Sequence, residues 1–105
     1  MSEAKYILRY ISRFEKDLNE IVDYFTVTLK NPKSVLRLID KIENAIQNRL
    51  NCPLSFEPFI SNRTRKNIYY RIYVDNFVVY YVVIDNVMEV RRVLYKGRDA
   101  FKIIK

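Results

Sequence analysis

The sequence has no histidine, no tryptophan, one glycine and one cysteine among 105 residues. Each shortage removes a class of chemistry. Without histidine there is no Ser-His-Asp triad, no imidazole general base and no His-based metal site. With Gly97 as the sole glycine, neither the GxxxxGK[ST] nor the GxGxxG phosphate cradle can be built. The single thiol, Cys52, closes no internal disulfide, and its neighbours Leu50 and Leu54 suggest a buried structural cysteine rather than a nucleophile. NTPase, dehydrogenase and metallohydrolase chemistry is therefore set aside. No uncharged run approaches the roughly 20 apolar residues that span a bilayer. The N-terminal stretch also lacks the charged, apolar, small-residue order of a signal peptide. The expectation is a soluble, intracellular protein with no metal, no small-molecule cofactor and no membrane partner.

Half the residues are hydrophobic, enough to close one core, and residues 1–105 read as a single domain. Nineteen Lys and Arg against twelve Asp and Glu give a net charge of +7. The excess is uneven, with nine basic and seven acidic residues in 1–53 but ten and five in 54–105. A basic half points to an anionic partner, such as nucleic acid or an acidic protein.

Residues 5–11 are rich in β-branched and aromatic side chains and predict a short strand. Ser12 with Glu15 three residues on has the form of a capping box. Phe14, Leu18, Ile21, Val22 and Phe25 then recur at helical spacing, predicting a helix over 13–28. Its other face carries Glu15, Asp17, Glu20 and Asp23, read as a solvated face rather than a metal site. Asn31-Pro32 caps and opens a second helix over 32–50, striped by Val35, Ile39, Ile42, Ile46 and Leu50. Pro53 and Pro58 bracket an irregular stretch, and 61–67 is a basic loop with Arg63, Arg65 and Lys66. Three strands follow, Ile68–Val74, Phe77–Ile84 and Val87–Tyr95, separated by Asp75-Asn76 and Asp85-Asn86. The middle one is apolar on both faces and should be central. The tail from Arg98 has the apolar spacing of a short helix. The expected fold class is α+β, in the order β-α-α-β-β-β. A helical hairpin packs on one face of a mostly antiparallel sheet, with a short C-terminal segment.

The face opposite the helices is then the place for function. Tyr69, Arg71 and Tyr73 alternate with the apolar positions of their strand, and Arg91, Arg92, Tyr95, Lys96 and Arg98 follow from the last strand. Tyr with Arg serves RNA, through phosphate pairing and base stacking, and serves protein hot spots equally. As a nuclease site, Arg71 and Arg98 would clamp a phosphate and Tyr95 would orient the nucleotide. Glu57 and Glu89 are the nearby carboxylates, and Glu89 suits an ion pair with Arg91 better than a role as base.

The order of these segments resembles the RelE/ParE superfamily of toxins from bacterial type II toxin–antitoxin pairs. The matching stretches are Phe14–Ile21 with Tyr24, Asn31-Pro32, Tyr70–Val83 and Arg92–Asp99. The resemblance implies a cytoplasmic toxin neutralised by an acidic antitoxin encoded beside it. It also implies one of two mechanisms: ribosome-dependent mRNA cleavage, as in RelE-like members, or inhibition of DNA gyrase, as in ParE-like members. Arg71 and Arg98 fall where the nucleases carry basic residues, and Tyr95 lies near a further site position. Three positions depart from the nuclease pattern: Tyr73 replaces a second cation, Val78 replaces a phosphate-holding Arg, and Ile104 stands where RelE-like members carry a Tyr. Losing one preorganised contact of this kind costs about 100–1000-fold in rate. The expectation leans to a ParE-like protein-binding inhibitor with no enzymatic step. The alternatives are a RelE-like endoribonuclease and a non-toxic nucleic-acid-binding module. In the nuclease case Arg71, Arg98 and Tyr95 are catalytic. Otherwise Tyr69, Tyr73, Arg91, Arg92, Lys96, Arg63, Arg65 and Lys66 contact the target or RNA.

Overall fold

The computed structural model describes residues 5–59, 67–98 and 103. Among them the chain runs β1 (Ile7–Tyr10), α1 (Ser12–Asp23), a π-helical turn (Tyr24–Thr28), α2 (Pro32–Leu50), β2 (Pro58–Phe59), β3 (Tyr69–Val74), β4 (Phe77–Ile84) and β5 (Val87–Tyr95). The five strands form one sheet in the order β1-β5-β4-β3-β2. β1 pairs with β5 in parallel, and the other pairings are antiparallel. The doubly apolar β4 is the central strand, as its composition predicts. No helix among the described residues is long and apolar enough to cross a membrane.

The helices cover one face. Phe14, Leu38, Ile42 and Ile46 bury against Tyr70, Ile72, Val74, Phe77, Val79, Tyr81, Met88, Val90 and Val93. The period-3.6 spacing of the helices and the period-2 spacing of the strands meet at this layer. The two-residue turns work as expected. Asp75 and Asp85 take the left-handed backbone conformation that acidic and amide side chains tolerate, at φ 52° and 56°.

Five expectations need correction. The capping box does not form, because Ile11 stays extended, bonds its amide to the Val90 carbonyl and becomes the N-cap itself. Ser12 is thereby already inside the helix. The segment between Pro53 and Pro58 is not wholly irregular, since Pro58 and Phe59 pair with Tyr70 and Tyr69 at the sheet edge, where proline is tolerated. Cys52 is exposed, because it follows the end of α2 in a turn rather than a core element. Asp17 is buried rather than solvated. The face opposite the helices is not open throughout, because Phe59, Tyr69, Val78, Tyr80, Val82 and Leu94 form a second apolar cluster there, with Ile103 packed on it.

The helical hairpin closes through a strained residue. The Leu29 amide bonds to the Tyr24 carbonyl, the Asn31 amide bonds to the Phe25 carbonyl, and Lys30 between them sits at φ 52°. Asn31 then caps α2, its Oδ1 accepting from the Ser34 amide at 3.3 Å. Lysine in the left-handed region is costly, and glycine is the usual residue there. Lys30→Gly is expected to raise stability by roughly 0.3–1 kcal/mol, read as a higher urea midpoint at unchanged m.

Candidate functional site

Two consecutive arginines of β5 sit at a β-bulge. The register shifts between Tyr80, opposite Arg92, and Tyr81, opposite Val90, leaving Arg91 as the extra residue of β5. The two consecutive arginines leave the strand toward opposite faces, as alternation dictates, and the bulge leaves Val93 on the helical side together with Arg92. Arg91 runs over the far face. Its Nε donates to Glu89 Oε2 at 2.7 Å and its guanidinium donates to the Tyr69 hydroxyl at 3.1 Å. Arg9 reaches the other oxygen of Glu89 at 3.5 Å. Burial works against the charge of Arg91, but its hydrogen bonds with Tyr69 and Glu89 outweigh that and raise its pKa. The Glu89–Arg91 pair expected from the sequence is thus present.

Arg92 goes to the helical side. Its Nε and a terminal nitrogen grip both oxygens of Asp17 at 2.7 and 3.0 Å, and the Val93 amide donates to Asp17 Oδ2 at 3.1 Å. Arg13, one helical turn before Asp17, adds a longer contact of 3.6 Å. Arg92 thus joins α1 to β5 as a structural cation.

Arg71 has no ion pair among the described residues. Its guanidinium lies 4.7 Å from the centroid of the Phe59 ring and 5.6 Å from that of Tyr73. Tyr73 is exposed beside it, and Tyr80 lies opposite Arg71 on β4. Burial raises the Tyr80 pKa, and the nearby Arg71 only partly offsets this. Tyr69 is buried under the same face.

Tyr95 lies elsewhere. It is paired with Phe77, whose ring belongs to the helical-side core and meets the Tyr95 ring edge-on at 5.7 Å. Tyr95 and Arg98 line an open cleft of about 540 Å³ between α1, the π-helical turn and the end of β5, together with Tyr24, Phe25, Leu29 and Arg92. The sheet therefore separates Tyr95 from Arg71, while keeping Tyr95 with Arg98. Lys96 is exposed in the turn after β5. Arg63, Arg65, Lys66 and Ile104 lie outside the described residues. Sequence reasoning missed the apolar part of this cleft. The signal was present in Tyr24, Val27 and Leu29, apolar residues at the hairpin tip that the structure leaves exposed.

The arrangement of a helical hairpin on a five-stranded sheet recurs in several solved structures. The chain aligns at TM-score 0.73 with a chain from the chromosomal ParDE toxin–antitoxin system of P. aeruginosa, at 15% identity, covering 89% of this chain and 98% of that one. A chain from the E. coli DinJ-YafQ complex aligns at TM-score 0.58 and 14% identity, covering 86% and 92%. One from the archaeal RelE-RelB complex of Pyrococcus horikoshii OT3 aligns at 0.52 and 18%, covering 90% and 99%. These likenesses show the fold. Residues 8–100 match the model of the ParE toxin of the type II toxin–antitoxin system parDE, and the chain belongs to that family. No curated protein matches the sequence.

Proposed function

We propose that this toxin arrests growth in the cytoplasm by binding a protein target, with DNA gyrase the first candidate, and that it cuts no RNA. The observation that carries this reading is how the cations are used. Arg91 is held by Glu89 and Tyr69, and Arg92 is held by Asp17. The position where a phosphate-holding arginine is expected in a nuclease is the buried Val78. Phosphoryl chemistry without metal or histidine needs several preorganised cations around one phosphate, and an arginine already neutralised by a carboxylate offers little to a second anion. Arg71 and Arg98 remain without ion pairs among the described residues, and they lie on different parts of the molecule. An acidic antitoxin fits the net charge of +7.

Induced expression of the chain alone in a bacterial host tests this. Growth arrest is expected with transcript ends unchanged minutes after induction, and purified chain is expected to inhibit gyrase supercoiling. New internal ends in translated messages would overturn the reading. The RelE-like alternative draws support from Arg71 beside Tyr73 and Tyr80, and it requires that Arg71→Ala or Arg98→Ala abolish such cleavage by about 100-fold or more. If both variants leave arrest intact, the nuclease reading fails.

A further inference from the structure

The end of the helical hairpin keeps two local conformations that are unfavourable by themselves. The chain leaves α1 through the π-helical turn Tyr24–Thr28, a geometry found mostly as single turns and frequently at functional sites. It enters α2 through Lys30 at φ 52°, where glycine would be relaxed. Strain that one substitution would relieve points to a use for the residue that keeps it. The surface around Lys30 has two further features. Val27 and Leu36, 70% and 66% exposed, are the two most exposed large apolar side chains among the described residues. Between Asp23 and Asp40 the sequence holds Lys30, Lys33 and Arg37 and no carboxylate side chain. All three cations are exposed and have no ion pair among the described residues. Phe25 anchors the turn. It lines both the large aromatic cleft and a smaller one of about 290 Å³ beside the β3–β4 turn, while Val27 and Leu36 line neither. The Asp75 carboxylate of the smaller cleft is taken by Lys41 at 3.2 Å. The tip thus leaves two aliphatic side chains and three cations to solvent.

We propose that this tip is the surface that engages the toxin's protein target, with Val27 and Leu36 seated in an apolar hollow and Lys30, Lys33 and Arg37 set against an acidic rim. The inference rests on the target-binding reading above and names the part of the chain that performs it. Charge selects the occupant, since three cations with no carboxylate among them match an acidic protein surface. A second copy meeting the first tip to tip would bring the same cations face to face. A nucleic acid would take the cations but set Val27 and Leu36 against its phosphates. An anionic bilayer would take both kinds of side chain. Two aliphatic side chains, however, bury far less than the myristoyl chain that by itself holds a membrane only marginally.

The test uses the full chain and reads inhibition of gyrase supercoiling together with growth arrest on induced expression, which reports on the target whichever protein it is. Val27→Asp changes an exposed side chain and is expected to leave the urea midpoint unchanged while weakening inhibition by about 30-fold or more. Lys30→Gly separates contact from structure. Its relaxed backbone is expected to raise the urea midpoint, while the lost charge weakens inhibition by about three- to tenfold and flattens its salt dependence. A lysine with only a structural role would instead give a variant at least as inhibitory as wild type. If Val27→Asp and Lys30→Gly arrest growth as wild type does, the proposal is overturned and the target-binding reading stands. A wild-type dimer that Val27→Asp dissolves, with arrest unchanged, assigns the tip to a second copy and also overturns it. Capture on phosphatidylglycerol vesicles that Val27→Asp abolishes, again with arrest unchanged, assigns the tip to a membrane and does the same. If the wild-type chain arrests growth by cutting messages, the target-binding reading fails first and the proposed surface falls with it.

Discussion

Asp17→Ala is expected to destabilise the chain by about 3–5 kcal/mol, a large share of the stability of a small domain. The Asp17 side chain is 4% exposed and receives both nitrogens of Arg92 and the amide of Val93. Arg92 is itself only 11% exposed, so it has little water to turn to when the carboxylate is gone. The variant leaves a nearly buried guanidinium without its counter-charge and a buried amide without an acceptor, and each carries a desolvation cost. For a domain of this length the melting temperature should fall by about 15–30 °C. Two controls separate the causes. Arg13→Ala removes only the half-exposed, longer contact to Asp17 and is expected to cost under about 1 kcal/mol. The double variant Asp17→Leu with Arg92→Met is expected to recover most of the loss, because it removes the charge that the single variant strands. A loss below about 1 kcal/mol in Asp17→Ala would mean that this network does not hold α1 on β5.

That network also shows where reading the sequence stops. Asp17 stands 75 residues from Arg92, and at the local level it looks like its neighbours Glu15, Glu20 and Asp23, which are exposed. Nothing within one helical turn distinguishes it. The bulge in β5 is equally silent, since a strand with one extra residue keeps the composition of a strand. The carboxylates that Arg91 and Arg92 meet, Glu89 and Asp17, are brought to them by the sheet and by α1. By contrast, features set by short-range chemistry are legible. The Asp-Asn pairs at 75–76 and 85–86 end the strands where the structure ends them, because those side chains tolerate left-handed backbone conformations. Asn31-Pro32 opens α2 at the expected residue. The capping box at Ser12 fails because a long-range bond, the Ile11 amide to Val90, competes for the same stretch of chain. β2 escapes notice because two residues show no periodicity. For the candidate site, residue types were legible and their grouping was not. Arg71 and Tyr73 share a face as alternation predicts, while Tyr95 and Arg98 belong to a cleft made by the helical hairpin.

Tyr81 is the second position where one substitution should have a large effect, and there two variants divide the effect by cause. Its side chain is fully buried and stacks on Tyr70 with ring centroids 5.3 Å apart. Its hydroxyl donates to the Pro53 carbonyl at 2.6 Å and accepts from Arg49 at 3.0 Å. The same Arg49 nitrogen donates to the Arg71 carbonyl at 3.1 Å, and the guanidinium lies 3.5 Å from the centroid of the Phe56 ring. One hydroxyl thus ties the end of α2 and the segment leading to Phe59 onto β4, and Arg49 extends the tie to the strand that carries Arg71. Tyr81→Ala removes the ring and the bonds and is expected to cost about 3–5 kcal/mol. Tyr81→Phe keeps the ring and is expected to cost about 1–2 kcal/mol, most of it from the Pro53 carbonyl left without its donor. The pH dependence gives an independent reading of the same hydroxyl. Burial pushes the Tyr81 pKa up, and the hydrogen bond and charge of Arg49 offset only part of that. A tyrosine raised in the folded state contributes stability that is whole below pH 10 and is lost as pH rises toward the folded value, because the unfolded chain ionises first. Burial raises Tyr80 and Tyr10 in the same way, so the wild-type chain should lose stability steadily above about pH 10. Tyr81→Phe should be less stable than wild type at pH 7 and should lose stability less steeply from pH 10 upward, as read from urea midpoints along the series. An unchanged midpoint at pH 7 together with an unchanged alkaline slope would show that the hydroxyl fixes neither the segment nor the strand.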